Sequence, residues 1–548
     1  MSEHRIIRLL TTGILLATGA FAQLSSFPKP NYFRETFKNA DTKIELQPPV
    51  RLKDFVKNGK LELSLRDFLA LTMANNTSIQ VQYLSLERSR NNITSVYGLW
   101  DPTATFSFTP QMTVSNPIPA TPVTASTYGS IESRQLPLQF GYSQTLETGQ
   151  FISVNGDGTK NSTGNGGYPT FNTGVGASIT QPLLKNRGAY VNKIPLFEAQ
   201  SSYKQTGFNL TSTLLSLINN AENVYWNAVS ARETVVVQQK ALEASQFNWD
   251  FIQKQFSLGA ISYLDTYNPQ QALAQAQLAA AQAVYSQAEA EDAVRNQISV
   301  DLDPDLRKLP LNLTESVELP ESESIVPDKE LEVQKAVSLQ PSLKSALQSL
   351  DIDDLSIASA NNGLKPSLNL KLSYNGAGNG GYYTGSFGYA GPVIAGGLGD
   401  ALGQAFGFGY PTYAASLTLT LPIRNRTASM TLANALIQKK NDALNVRNTQ
   451  QSIRLSILNA VVAFQSAKDS LVLAQTQDKF SSLNLDAEHT KYSLGNEIQQ
   501  NVVTAQQQLA AADLVVLNSK IALQKAILSL YTLTGELLDK RGVVVKTP

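Results

Sequence analysis

Few side chains in this sequence could do covalent or metal chemistry. Its 548 residues include no cysteine and only two histidines. That excludes disulfides, thiolate metal sites, cysteine nucleophiles and lipid attachment at an N-terminal cysteine. His4 lies in a stretch expected to be cleaved, which leaves His489, so one chain cannot build a histidine cluster for a metal. The Asp and Glu residues are scattered at helical spacing, as on solvated faces. No carboxylate pair stands beside a histidine or a nucleophile. The expectation is a protein that is not an enzyme, without catalytic residues, cofactor or metal.

The residues that do stand out serve recognition. Phe256-Ser-Leu-Gly-Ala-Ile and Tyr492-Ser-Leu-Gly-Asn-Glu share an aromatic-Ser-Leu-Gly core. Each interrupts a very long Ala/Gln-rich helical pattern. Glycine suits a tight turn that a second backbone must approach closely. Past the second motif, Val502, Ala505, Leu509, Ala512, Val516, Ser519, Leu523, Ala526 and Leu530 fall alternately three and four apart. Past the first, Leu273, Ala276, Ala280, Ala283, Ala290 and Val294 do the same, with polar Gln287 as the lapse. An offset of 236 residues carries Leu509, Ala512, Val516 and Ser519 onto Leu273, Ala276, Ala280 and Ala283. The pattern reads as one helix–turn–helix unit present twice, a tandem repeat.

The elements that must position these turns follow from the rest of the chain. Lys+Arg and Asp+Glu balance at 44 each, so no global field favours nucleic acid. Charged residues make up 16% of the chain, against about 25% in typical soluble proteins. Gln, Asn, Ser, Thr and Ala fill the difference, giving a wet but weakly charged surface. Residues 1–22 read as a secretory signal: Arg5 and Arg8, an apolar run from Ile6 to Phe21, then Ala20-Phe21-Ala22 as the cleavage site. No other segment approaches the roughly 20 apolar residues of a membrane-spanning helix. A Pro-containing extended arm is expected over 23–62.

A first repeat then spans 63–302, with helices over 63–99 and 195–300. The period changes from helical to two after Pro102, and strands and loops fill 103–184. On the long helix Leu217, Ala221, Val224, Ala228, Ala231, Val235, Leu242, Trp249 and Ile252 form one seam. Residues 303–328 are a linker. The second repeat, 329–534, has helices over 329–361 and 427–533 and strands and loops over 366–423. Within it 375–411 reads as a Gly-rich loop, and 535–548 as a flexible tail. The first strand region holds two or four strands, because the piece at Phe151–Val154 is ambiguous, and the second holds two. Four to six strands cannot close a transmembrane barrel, and an open edge is forbidden in lipid. Copies of the chain must therefore share a barrel, most simply as a cyclic trimer. Ala-rich seams at 3–4 spacing predict coiled-coil packing of the helices. The rival expectation is a secreted coiled-coil scaffold without a pore.

Several features together resemble the TolC-type outer-membrane efflux proteins, also called outer membrane factors, over nearly the whole mature length. The carriers are Leu63-Ser-Leu-Arg-Asp-Phe-Leu-Ala-Leu with Asn75-Asn76, Gln181-Pro182-Leu183-Leu184, and the two aromatic-x-Leu-Gly turns. The order helix–strands–helix, met twice, is the fourth. The resemblance implies an α+β membrane protein: a homotrimer with a shared 12-stranded β-barrel, four strands per protomer, continued by a periplasmic α-barrel of long coiled coils. It implies an outer-membrane exit duct that passively conducts what an inner-membrane pump and a periplasmic adaptor deliver. Phe256, Ser257, Leu258, Gly259, Tyr492, Ser493, Leu494 and Gly495 match the family's adaptor-docking turns. At the entrance the sequence departs from the family. Two aspartates of the acidic ring are here Asn501 and Thr504, and a basic residue that locks the closed state is Glu497, facing Asp265. The expectation is that Asp265 and Glu497 supply the negative constriction while Tyr492 holds the tips by hydrogen bonding.

Overall fold

Two runs of more than sixty residues form single helices, and other helices among the described residues pack against them. The computed structural model describes residues 52–115, 131–163, 169–300, 303, 305–318, 326–381 and 396–543. The chain divides into Met1–Pro48 and Pro49–Pro548, and the described residues all belong to the second unit. The expected signal segment and most of the extended arm lie outside them.

Helices α1 (Leu65–Asn75) and α2 (Thr77–Tyr97) meet at the Asn75-Asn76 break. There the Asn76 carboxamide oxygen accepts from the Ser78 and Ile79 N–H groups and so caps the second helix. After the short α3 (Ala189–Asn192) comes α4 (Ile194–Ser257), 64 residues long, with Pro195 in its first turn, where the missing N–H has no bond to lose. Its return partner is α5 (Tyr267–Gln297). In the second half α6 (Lys329–Leu339) and α7 (Pro341–Leu364) form the helical stretch expected over 329–361. Pro341 drives Gln340 into an extended conformation and ends the first of them. Helices α9 (Arg426–Ser493, 68 residues) and α10 (Gln499–Thr534) complete the bundle. At 1.5 Å per residue α4 and α9 are rods of roughly 95 and 100 Å.

The expected tail is not loose up to Val543. A last short helix, α11 (Leu537–Lys540), buries Leu537 and Leu538. Beyond it Arg541 pairs with Glu222, whose side chain is fully buried in α4. The apolar core lies here, where these residues meet the sheet of β1 (Val56–Lys57), β2 (Lys60–Leu63) and β8 (Leu311–Leu313). Strand β8 pairs in parallel with β2, so part of the expected linker is structural. Tyr225, fully buried, donates its hydroxyl to the Leu63 carbonyl oxygen at 3.1 Å, and burial pushes its phenol up from the ordinary value.

The second sheet has seven strands: β3 (Thr103–Phe108), β4 (Gln111–Ser115), β5 (Ile131–Thr145), β6 (Phe151–Thr163), β7 (Thr170–Pro182), β9 (Ser367–Gly381) and β10 (Pro411–Thr420). Their order is β10-β9-β7-β6-β5-β3, and β4 extends β3 along β5 beyond the break at Thr109-Pro110. Among the described residues the seven segments make six antiparallel spans, four in the first strand region and two in the second: the larger of the two counts the residues left open, and not the four per protomer that the resemblance implies. Two stretches read from sequence as loops belong to these spans. Residues 155–163 and 375–381, rich in Gly and Asn, are strand because each pairs along its whole length with a neighbour.

Register sorts the side chains of this sheet onto two unlike faces. Phe106 lies opposite Phe140, Tyr142 opposite Val154, Ile152 opposite Ile179, Ile179 opposite Leu372 and Leu370 opposite Leu417, all on one side. The other carries Ser143 opposite Ser153, Ser153 opposite Ser178, Ser178 opposite Ser373 and Lys371 opposite Ser416. Helix α8 (Leu398–Phe406), also unforeseen, lies on the apolar face. It fits because Gly376, Gly378 and Gly380 form a trough in β9. A Cβ at Gly378 would come within 1.8 Å of the Ala401 carbonyl oxygen.

By length and composition α9 and α10 each contain an 18-residue window apolar enough to cross a membrane, a property that packed helices share. Packing within the chain already buries 28% and 39% of those windows. On α9, apolar residues are also left uncovered. Ile437, Leu444, Leu455, Val462, Leu473 and Phe480 are each more than half exposed. They recur alternately 7 and 11 apart, an 18-residue period of five helical turns, and so form one straight stripe.

Candidate functional site

Both aromatic-Ser-Leu-Gly motifs close a long helix in the same way, atom for atom. Gly259 (φ +72) and Gly495 (φ +75) take the left-handed conformation that glycine adopts without penalty. In the first turn the Leu258, Gly259 and Ala260 N–H groups donate to the Lys254, Phe256 and Gln255 carbonyls at 3.1, 2.9 and 2.9 Å. In the second, Leu494, Gly495 and Asn496 donate to Thr490, Tyr492 and Lys491 at 3.1, 3.0 and 3.0 Å. Ser257 and Ser493 each turn their hydroxyl back to the carbonyl three residues earlier, at 2.7 Å. With its polar groups satisfied inside the turn, each motif leaves its leucine outward. Leu258 is 83% exposed and Leu494 70%.

The exits from the two turns differ. After the first, the Ser262 hydroxyl and the Asp265 carboxylate form a reciprocal cap, with Asp265 accepting the Ser262 N–H at 3.0 Å. Phe256, Tyr263 and Tyr267 then pack in sequence, the first pair tilted and the second edge-on, with ring centroids 5.8 and 5.2 Å apart. After the second, Glu497 accepts from the Ile498 N–H at 3.0 Å and from the Asn501 amide at 2.6 Å. Thr504 returns its hydroxyl to the Gln500 carbonyl at 2.8 Å. Asp265 and Glu497, expected to face each other, each accept hydrogen bonds within their own turn. Glu488 hydrogen-bonds Lys491 at 2.6 Å and holds that ammonium above its ordinary value.

Tyr492, together with side chains unremarked in the sequence, holds the turns beside one another. The Tyr492 hydroxyl donates to the Gln255 amide oxygen at 2.9 Å, and the Tyr492 ring meets Phe251 edge-on at 6.4 Å. One turn deeper the Gln499 amide donates to Asn248, which is buried. Between the hairpins a cleft of about 510 Å³ is lined by Phe247, Gln255, His489, Tyr492, Glu497 and Gln506, among others. Asn248 gave a signal that could have been read: it is a polar residue beside the seam positions Trp249 and Ile252. Chemically the arrangement offers two exposed apolar tips, a hydrogen-bonded latch and two nearby carboxylates. No group of three or more acidic, His or Cys residues able to hold a metal occurs among the described residues.

The profile of the family described as outer membrane efflux protein matches residues 139–298 and 333–536, so each copy of the turn falls inside a matched segment. A comparison with curated protein sequences returned no match. Among solved structures the fold is similar to that of CusC, whose structures concern folding and transmembrane channel formation (TM-score 0.60, 15% identity, covering 90% of this chain and 99% of that one). It is also similar to the Campylobacter jejuni outer membrane channel CmeC (0.57, 16%, 91% and 91%) and to the open state of the Neisseria gonorrhoeae outer membrane channel MtrE (0.58, 17%, 88% and 91%). The two profile segments take in both pairs of long helices, strands β6, β7, β9 and β10 and part of β5. The chain therefore belongs to the outer membrane efflux protein family.

Proposed function

We propose that three copies of this chain share one outer-membrane β-barrel and continue it as a periplasmic tunnel, the passive exit duct of a tripartite efflux or type I secretion system. The observation that carries this reading is the seven-stranded sheet, with one apolar face, one polar face and, among the described residues, both edges unpaired. Lipid suits the apolar face and water the polar one, but an unpaired edge in lipid leaves backbone groups without partners at several kcal/mol each. Pairing with further copies removes that cost. The straight apolar stripe on α9 supports the same assembly, since a neighbouring copy's helices would cover it.

In this arrangement the Ser-Leu-Gly turns stand at the tunnel's periplasmic end. Leu258 and Leu494 are the contact points for a periplasmic adaptor that recruits an inner-membrane pump, and the pump selects the substrate. Tyr492 with Gln255 is the latch of the entrance, and Asp265 and Glu497 provide its negative charge. Asn501 and Thr504 replace a denser acidic ring. Single-channel recording in planar bilayers tests the reading. The protein should form open pores, and the double variant Asp265→Asn, Glu497→Gln should lose cation preference. Absence of conductance would overturn the channel, and unchanged ion selectivity would overturn the role of the two carboxylates.

A further inference from the structure

We infer that the shared barrel has 18 strands, six from each of three copies, closed by pairing β10 of one copy with the β3–β4 edge of the next. The inference rests on the trimeric channel reading and adds to it the width of the exit. Hairpin β5–β6 is the pair of strands that sets the count. It is built as wall: β5 pairs with β6 from Ser133↔Thr163 to Thr145↔Phe151, and β6 pairs with β7 from Phe151↔Thr180 to Asn161↔Thr170. Strands of this length match the roughly 9–11 residues that a tilted transmembrane strand needs.

From Leu136 to Tyr142 on β5 and from Ile152 to Gly158 on β6 its side chains continue both faces. Leu138, Phe140, Ile152 and Val154 extend the apolar face, and Gln139, Ser143, Ser153 and Asn155 the polar one. A hairpin folded out over the cell surface would have no use for an apolar side in register with Phe106 and Ile179. The edges fit one another as well. Six spans is an even number, so β3 and β10 run antiparallel, and a second copy can extend the ladder indefinitely until it closes. Tyr413, Leu417 and Leu419 on one edge and Phe106, Phe108 and Met112 on the other are exposed in the single chain and lie on the apolar side. Barrel diameter grows about linearly with strand number, so the exit would be roughly 1.5-fold wider than a 12-stranded one. At 16–18 strands the lumen is an aqueous channel rather than a plug of side chains.

Imaging the detergent-extracted full-length particle at strand resolution tests the count. The expected result is a threefold wall of 18 strands. A threefold particle with 12 strands and the β5–β6 hairpin outside the wall would overturn this inference and leave the channel reading standing. A particle without threefold symmetry would overturn both. Because the chain has no cysteine, single-cysteine labelling in liposomes gives a second, independent answer. With a water-soluble maleimide, Gln139→Cys, Ser143→Cys, Ser153→Cys and Asn155→Cys should label at least tenfold faster than Leu138→Cys, Phe140→Cys, Ile152→Cys and Val154→Cys. Equal labelling of both sets would place the hairpin outside lipid and overturn the inference.

Discussion

At the scale of single residues, the latch between the two hairpins is one hydrogen bond and one ring contact. The first copy of the motif carries Phe256 where the second carries Tyr492, so a phenylalanine fits this turn and the hydroxyl is what distinguishes the second. Removing it by Tyr492→Phe should cost about 1 kcal/mol at the tips, with little change in thermal stability. In bilayers the variant should open more often than the parent, and identical open probability would show that Tyr492–Gln255 holds nothing shut. A second residue-scale effect concerns pH. Burial pushes the Asp513 carboxyl up to about 6, and the adjacent Asp478 adds to the shift while Lys240 opposes it. The folded chain thus holds a proton that the unfolded chain, with the ordinary value of 3.8, releases earlier. Stability from this site is present below about pH 4 and is lost as pH rises through 6. Asp513→Asn should therefore stabilise the protein at pH 8, on the order of 1 kcal/mol after solvent screening, and do nothing at pH 3.5. Melting curves at the two pH values check this, and an equal effect at both would contradict it.

At the scale of elements, the sequence made the helices plain and the sheet only half so. The 3–4 spacing of Leu217, Ala221, Val224 and Ala228 marks a helix because one face must pack, and Gly259 marks its end because a left-handed residue is needed there. The turns themselves were legible for the same reason. Residues 155–163 were not, because Asn-Gly-Asp-Gly-Thr-Lys carries no alternation of its own. Its strand is imposed by neighbours on both sides. The partner of Tyr492 was hidden too, since nothing local in Gln255 says that an element more than 230 residues away lies opposite. Helix α8 depended on a pattern visible only with the register in hand: three alternate glycines, Gly376, Gly378 and Gly380, on one face of β9. Gly378→Ala puts a methyl into the Ala401 carbonyl and should displace α8 or destabilise the sheet by about 2 kcal/mol. A cysteine at Leu402 should then become more reactive to maleimide, whereas unchanged reactivity and stability would show that the trough is not needed.

At the scale of the whole molecule, the features left unpaired in one chain agree in kind. Two sheet edges, one apolar sheet face and one apolar stripe down α9 would each cost free energy in water or lipid if they stayed uncovered. In the proposed assembly a single closed ring of copies would cover the edges and the stripe together, and the bilayer would cover the face. Leu455→Asp with Val462→Asp, placing charges in the middle of the stripe, should weaken the assembly while leaving the fold of each chain in place. The mass of the detergent-extracted particle by light scattering tests the account most directly. Three chains per particle for the parent, falling to one for the Leu455→Asp, Val462→Asp variant, is the result predicted. A parent particle containing a single chain would contradict the shared barrel and every role assigned to the tips.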